Sequence, residues 1–204
     1  VQAAGIGMSL PPNQRSISDT FTIEGAPPTP GEGAPPVPVV FVSSGYFSAL
    51  GVPLLRGRNF QESDRDGSPS VVIINETLAR RYFPNQDPIG RRICKLAVPP
   101  EKPKWFEIIG VVRDVVYNRP TAKHTLPTFY FAEAQETEAF MSIAVRTQNA
   151  PASFTNAVRN AVLSVNKDIP IYKVKLMTDV VKESFWERGF FGTLFTAFGV
   201  IALF

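Results

Sequence analysis

The chain has 204 residues, of which 44% are hydrophobic and 19% are charged, so it can form one large domain or two small ones. Its net charge of +3 is small for this length and argues against a nucleic-acid-binding protein, which would carry a dense basic stripe. The single cysteine, Cys94, excludes an intramolecular disulfide and is compatible with cytoplasm or periplasm. No charged region precedes an apolar stretch at Val1, so no signal peptide is recognised and the chain looks trimmed at both ends.

The N-terminal part is predicted to contain short strands around a proline-rich loop. Residues 1–10 have the small side chains of a weak strand. Residues 11–38 form a loop, because proline lacks the amide donor that a central strand needs. Within this loop, residues 20–23 alternate in polarity and favour a short edge strand. Residues 37–43 are predicted to be a further strand.

A short helix is predicted next, followed by an extended segment and a turn. Residues 43–51 favour one or two helical turns that Ser43 or Ser44 caps and Gly51 ends. Residues 52–60 are expected to be extended, and residues 61–69 have the composition of a turn or loop.

A strand and a helix follow directly. Residues 71–74 are β-branched and predict a buried strand. Asn75 is predicted to cap a helix over residues 76–83, which Pro84 ends. The triplet from Asn75 to Thr77 also matches a glycosylation acceptor, but nothing in the sequence indicates a eukaryotic secretory context, so capping is the preferred interpretation.

Further short strands are predicted in the middle of the chain. A turn at 87–90 precedes them, and a polar loop at 98–104 interrupts them. These strands are placed at 91–97, within 105–116 and at 128–131.

The clearest pattern is a strand, a helix and a second strand near the C-terminal end. Residues 140–145 and 170–174 favour the two strands, and Pro151 suits a helix start. The helix is expected to face a core with an apolar stripe of Phe154, Ala157, Val158, Ala161, Val162 and Val165. This is a predicted β-α-β unit, right-handed if its strands are parallel neighbours.

The end of the chain predicts a membrane-entering helix. Residues 190–204 carry no charge, and a bilayer-spanning helix needs about 20 such residues. Thr178 is predicted to cap the helix, and Trp186 and Arg188 are predicted interfacial anchors where it becomes apolar. The residues expected to insert into the membrane are Phe190, Phe191, Leu194, Phe195, Phe198, Val200, Ile201, Leu203 and Phe204.

No catalytic, cofactor-binding or metal-binding pattern is recognised. The single histidine, His124, is interpreted as a surface residue, and Cys94 as a packed one. Together they supply too few ligands for a zinc site. Arg80 and Arg81 are interpreted as a solvated helix face, with an acidic partner or lipid head groups as the alternative.

Two further patterns resemble ligand sites but are incomplete. The acidic residues Glu62, Asp64 and Asp66 lack the final carboxylate of a calcium loop, so they are interpreted as a solvated turn. Gly5 and Gly7 match only the first half of a dinucleotide-binding motif, so no ATP site is predicted.

Three segments carry a resemblance to a known family. YFSALGVPLLRGRNF at 46–60 is similar to a segment of MacB-like periplasmic core domains. VVIINETLARRYFP at 71–84, with DPIGR at 87–91, resembles the family's next segment, and IIGVVRDV at 108–115 resembles its following strand. The later elements follow in the family's order. The family comprises permeases of ABC transporters of the MacB, FtsX and LolC type.

The resemblance implies an α+β fold with a porter-like β-α-β subdomain, a mostly β, sabre-like insertion and the start of a transmembrane helix. Mapped onto this sequence, it places a remnant porter strand at 1–10, the sabre-like subdomain at 11–135, the porter-like β-α-β unit at 139–177 and a juxtamembrane helix running into a truncated transmembrane helix at 178–204.

The resemblance also implies a function without catalysis. The chain would be the periplasmic domain of a bacterial inner-membrane permease, coupling cytoplasmic ATP hydrolysis to conformational change for efflux, export, or lipoprotein and envelope work. It would hold no cofactor, since ATP and Mg²⁺ would bind the partner ATPase subunit or domain. The other implied partners are a periplasmic adaptor protein, membrane lipid and a second copy or homologue in a homodimer or pseudo-dimer, but no nucleic acid.

Two alternatives remain open at this point. A ligand- or peptide-binding sensor domain anchored by one helix would continue into a soluble signalling domain, whereas a permease needs further apolar helices. A hydrolase would need His124 or the carboxylates to converge in a cleft.

Overall fold

The computed structural model describes residues 1–12, 17–25, 36–95, 104–117, 125–136 and 140–184. The strands are β1 Ala3–Gly7, β2 Ile17–Asp19, β3 Phe21–Ile23, β4 Val37–Val42, β5 Leu54–Gly57, β6 Val71–Asn75, β7 Arg92–Lys95, β8 Trp105–Val112, β9 Phe129–Ala132 and β10 Ser142–Arg146. The helices are α1 Tyr46–Leu50, α2 Glu76–Tyr82 and α3 Thr155–Val165, with a 3₁₀ turn at Pro151–Phe154. Residues 177–184 are also helical.

The ten strands in the described part of the chain belong to one mixed sheet, and helices accompany it, so the predicted α+β fold is confirmed. The strand order is β10-β1-β4-β9-β6-β8-β7-β3, with β2 beside β4 and β5 beside β8. The β4–β9 and β6–β8 pairs are parallel, and the other pairs are antiparallel.

The sheet closes on itself through residues 17–23. Strand β2 pairs with β4, and β3, which follows after Thr20 alone, pairs with β7. Strands β9, β6 and β8 lie between β4 and β7 in the sheet. The strands β2/β3, β4, β9, β6, β8 and β7 therefore form a closed ring, called the barrel below, in which pairing removes the free edges.

Alternation along the barrel strands produces two cores. In β4, Val39 and Phe41 belong to the first core, while Val40 and Val42 belong to the second. The first core also takes Leu78, Ala79 and Phe83 from α2 and its end. The second core takes Tyr46 and Phe47 from α1. Successive side chains of a strand point to opposite faces, so α1 and α2 cover opposite faces of the same strands.

The predicted cap of α2 is confirmed. The Asn75 side chain accepts a hydrogen bond from the backbone N–H of Leu78 at 3.0 Å. The Asn75 side chain is also fully buried, which excludes it as a glycosylation acceptor in the folded domain.

Of the two predicted ends of α1, the C-terminal one is confirmed and the N-terminal one is wrong. Gly51 ends the helix in the left-handed conformation at φ 70°, as predicted. The prediction that Ser43 or Ser44 caps it is wrong, because the N-cap residue is Gly45 and its position has no side-chain cap. The Ser43 hydroxyl instead accepts a hydrogen bond from the backbone N–H of Ile6 at 2.9 Å. This bond connects the residue that follows β4 to β1.

The predicted β-α-β unit is incomplete in the structure. Its first strand and its helix form, but residues 170–174 join no ladder within the described chain. Lys173 has φ 56°, which interrupts an extended conformation. None of the described side chains of α3 is buried, so the prediction that its apolar stripe faces a core is also wrong. The spacing of apolar residues shows which side chains share one face of a helix. It does not show whether another element packs against that face.

Candidate functional site

The predicted membrane residues lie outside the described part of the chain, and so does His124. They are Trp186, Arg188 and the nine residues expected to insert into the membrane. Within the described ranges, no helix has both the length and the apolar character needed to cross a bilayer. The helical residues 177–184 immediately precede this undescribed stretch.

Exposed apolar side chains are concentrated in the segment that leads to this end of the chain, residues 140–184. The most exposed is Val165, at 85%. The others in this segment are Phe140, Ile143, Ile169, Tyr172, Val174, Met177 and Val181. The segment thus differs from the barrel, whose large apolar side chains fill two cores.

Strand β10 joins this segment to the rest of the domain. It pairs with β1 over five residues, from Ala3 opposite Arg146 to Gly7 opposite Ser142. Strand β1 in turn pairs with β4 of the barrel, with Gly7 opposite Val42. The β1–β10 ribbon therefore joins residues 140–184 to the barrel.

Glycines allow α1 to lie on this ribbon. A Cβ on Gly5 would be 2.4 Å from the backbone nitrogen of Tyr46, and one on Gly45 would be 1.9 Å from the carbonyl oxygen of Ala4. Neither distance is possible for a real side chain. A Cβ on Gly7 would likewise be too close to the ring of Tyr46. Gly5 and Gly7, which resembled half of a nucleotide motif, thus allow β1 to pack closely against α1.

Arg146 of β10 ties the other end of α1 to the ribbon. Its Nε donates a hydrogen bond to the carbonyl oxygen of Ala49 at 3.0 Å. A cation beside the last carbonyls of a helix is favourable, because those groups have no partner within the helix. Gly51 leaves room for this guanidinium, since a Cβ there would be 2.4 Å from Arg146 Nη2.

Two buried tyrosines, Tyr46 and Tyr117, are hydrogen-bonded to each other. The Tyr46 hydroxyl donates a hydrogen bond to the carbonyl oxygen of Ser9 at 2.7 Å, so it accepts one from the Tyr117 hydroxyl at 2.7 Å. Desolvation raises the pKa of both phenols well above their usual range. They stay protonated at neutral pH and act as hydrogen-bonding links between α1 and the segment after β8.

The acidic turn contains one residue that sequence reasoning misjudged. Glu62 and Asp66 are exposed, but Asp64 is buried, so the interpretation of all three as solvated is wrong for Asp64. Arg58 binds both of its carboxylate oxygens, at 2.7 and 2.9 Å. These hydrogen bonds lower the pKa of Asp64 against the effect of desolvation, and the Gln61 N–H, at 2.8 Å, acts in the same direction.

Cys94 lies in β7 and is buried, in line with its interpretation as a packed residue. Burial raises the pKa of its thiol, which makes a nucleophilic thiolate scarce at neutral pH. Among the described residues, no group of three or more His, Cys, Asp or Glu side chains is placed to hold a metal ion. The site that the geometry offers is therefore the connection between the barrel and residues 140–184.

Comparison with known proteins gives a family match over most of the chain. The family model described as MacB-like periplasmic core domain matches residues 10–161. A curated relative, the macrolide export ATP-binding/permease protein MacB of Aggregatibacter actinomycetemcomitans, is 35% identical over 69 residues. That alignment covers 34% of this chain and 10% of the relative.

Two solved structures share the fold. The periplasmic region of MacB from Actinobacillus actinomycetemcomitans matches with a TM-score of 0.54 and 17% identity, over 81% of this chain and 67% of that one. The extracellular domain of the noncanonic ABC-type transporter YknZ from Gram-positive bacteria matches with a TM-score of 0.51 and 18% identity, over 83% of this chain and 78% of that one.

Proposed function

Since the chain belongs to the MacB-like periplasmic core domain family, we propose that it is the extracytoplasmic domain of an ABC-transporter permease and works by transmitting movement. The observation that carries the proposal is the match over residues 10–161 together with the β1–β10 ribbon, which links the barrel to the segment preceding the apolar end. No residue of the domain is assigned a catalytic role.

In this proposal, ATP and Mg²⁺ bind an ATPase subunit or domain on the cytoplasmic side of the bacterial inner membrane. Nucleotide binding favours one of two arrangements of the membrane helices, and the apolar residues from Phe190 onward belong to one of these helices. The helical residues 177–184 pass the displacement to β10 and so to the barrel. Such coupling needs a difference in nucleotide affinity between the two arrangements and requires no chemistry in this domain.

The proposed partners follow from the same arrangement. The ATPase, membrane lipid at Trp186 and Arg188, a periplasmic adaptor protein and a second permease subunit in a homodimer or pseudo-dimer would complete the transporter. The work done would be efflux, export, or lipoprotein and envelope processing.

Location is tested with an exposed cysteine in the full-length protein. Val165→Cys in a Cys94→Ala background places a thiol at a side chain that is 85% exposed. A membrane-impermeant maleimide added to intact spheroplasts should label this thiol to the same extent as after lysis. Labelling that appears only after lysis would place the domain in the cytoplasm and refute the proposal.

Coupling is tested by spin labels in the reconstituted transporter. Labels at Ser18→Cys on β2 and at Val165→Cys, the last residue of α3, report the distance between the barrel and residues 140–184. Both positions are exposed. The distance distribution should change when ATP and vanadate are added. Identical distributions with and without nucleotide would argue for a domain that does not move with the ATPase cycle.

A further inference from the structure

The turn at 133–136, which follows β9 and precedes β10, is tied to several other segments. The backbone N–H of Glu133 donates to the carbonyl oxygen of Val42 at 3.0 Å, and that of Asp66 donates to the carbonyl oxygen of Ala134 at 2.9 Å. The side chain of Gln135 donates to Ser68 Oγ at 2.9 Å and accepts from the Val71 N–H at 3.1 Å. The turn is therefore held against the end of β4 and the segment that enters β6.

Glu136, the last residue of this turn, binds two lysines at once. Its Oε2 pairs with Lys95, and its Oε1 pairs with Lys104 at 3.2 Å. Lys95 is the last residue of β7, and Lys104 immediately precedes the first residue of β8. One carboxylate thus holds together both strands of the β7–β8 hairpin and connects them to the turn before β10.

The pair between Glu136 and Lys95 is shielded from water. Their side chains are 22% and 21% exposed. The Lys95 ammonium also lies 4.2 Å from the ring centroid of Phe131 and 5.3 Å from those of Phe41 and Phe106. Aromatic faces attract a cation, and partial desolvation makes an ion pair stronger than it is at a fully exposed site.

We propose that Glu136 is a positioning residue that passes displacement of β10 and α3 to the β7–β8 hairpin, an inference that rests on the proposed function. Residues 140–184 are joined to the barrel by the β1–β10 ribbon and, along the chain, by the 133–136 turn that precedes them. The ribbon pairs with β4 at Gly7, which lies opposite Val42. The turn, through Glu136, reaches β7 and β8, neither of which pairs with β1.

The test is hydrogen exchange in the full-length transporter with its ATPase, with and without ATP and vanadate. Glu136→Gln removes the charge and keeps the size of the side chain. Glu62→Gln is the matched control, because Glu62 is an exposed glutamate outside the turn. Glu136→Gln should speed amide exchange in peptides of β7 and β8 by about tenfold, through local opening, and leave exchange in β4 and β6 unchanged.

The nucleotide response separates positioning from plain stability. In the wild type and in Glu62→Gln, nucleotide should change exchange in β7 and β8, whereas Glu136→Gln should abolish this change while ATP hydrolysis continues. Lys95→Met keeps an apolar side chain over the phenylalanines and should reproduce the loss. The double variant should be no worse than Glu136→Gln alone, because that change already removes the pairs with both lysines.

The outcomes distinguish the two proposals. If Glu136→Gln and Lys95→Met respond to nucleotide as the Glu62→Gln control does, Glu136 does not transmit movement and the inference is overturned. If the wild-type domain itself shows no response to nucleotide in any peptide, the proposed function fails instead.

Discussion

Gly7 of β1 lies directly against the ring of Tyr46 in α1. A Cβ at Gly7 would be 2.3 Å from Tyr46 Cε2. The ring cannot easily move away, because Tyr46 is fully buried and its hydroxyl bonds to Ser9 and Tyr117. We expect Gly7→Ala to lower the free energy of unfolding by about 1–3 kcal/mol, as overpacking does in other cores.

A double-mutant cycle measured by urea unfolding identifies the cause. Tyr46→Leu removes the ring, so Gly7→Ala should cost clearly less in that background than in the wild type. An equal cost in both backgrounds would mean that the close approach of Gly7 and Tyr46 is not what constrains the position.

Asn75 joins β6, α2 and the start of β9 through its side chain. Its Oδ1 accepts from the N–H groups of Leu78 and Thr128, at 3.0 and 2.9 Å, and its Nδ2 donates to the Leu126 carbonyl at 2.9 Å. Asn75→Ala would leave these buried groups unpaired, which costs about 2–4 kcal/mol. The exposed Asn149→Ala is the control for urea unfolding, and similar midpoints for the two variants would contradict the assignment.

Because Arg58 pairs with Asp64, we expect the free energy of unfolding to depend on pH in the acid range. The pKa of Asp64 is lowered in the folded state, mainly by the Arg58 hydrogen bonds, so its contribution is fully present above its unfolded pKa of about 3.9. That contribution is lost as the pH falls from there through the lowered folded pKa. The melting temperature of Asp64→Asn should therefore fall less than that of the wild type between about pH 4 and pH 2. Glu62→Gln should track the wild type, and parallel curves for all three proteins would refute the prediction.

Cys94 should resist alkylation in the folded domain. Its side chain is buried and burial raises the pKa of the thiol, so both access and thiolate concentration are low. We expect labelling by a maleimide at neutral pH to be at least about a hundredfold slower in the native protein than in urea, because reaction requires opening. Equal rates would show that β7 does not protect the thiol.

Valine-to-alanine substitutions at two positions compare how tightly side chains are packed in the barrel and on α3. Val40 has no exposed surface, whereas Val165 is 85% exposed. Val40→Ala should destabilise the domain by about 2 kcal/mol, and Val165→Ala should stay within about 0.5 kcal/mol of the wild type. A large loss of stability at Val165 in urea unfolding would show that the stripe of α3 is covered after all.

The sequence predicts structure correctly where that structure depends on residues close to one another in the chain. Asn75 before a helix and Gly51 after one are examples, since caps are decided within a few residues. The β-branched run at 71–74 likewise forms a buried strand. The family resemblance was correct for the same reason, because its motifs are contiguous segments.

Features that depend on distant partners were missed. Burial of Asp64 follows from its pairing with Arg58, and nothing in an acidic turn marks which carboxylate is buried. The apolar residues of α3 do share one face of the helix, but their spacing does not show whether another element packs on that face. The division of the chain at 11–135 and 139–177 stays a prediction.

The closure of the barrel has a consequence for the order in which the domain can be made. Strands β2 and β3 leave the ribosome early, but β3 pairs with β7, which is synthesised much later. Strand β3 must wait unpaired while β4, β6 and their loops are added between it and β7. Pairings between distant parts of a chain slow folding, because the loop between them must be closed before the contacts form. Completion of the ring is therefore a late event in folding, and until it occurs the edges of β3 and β7 are open to other strands.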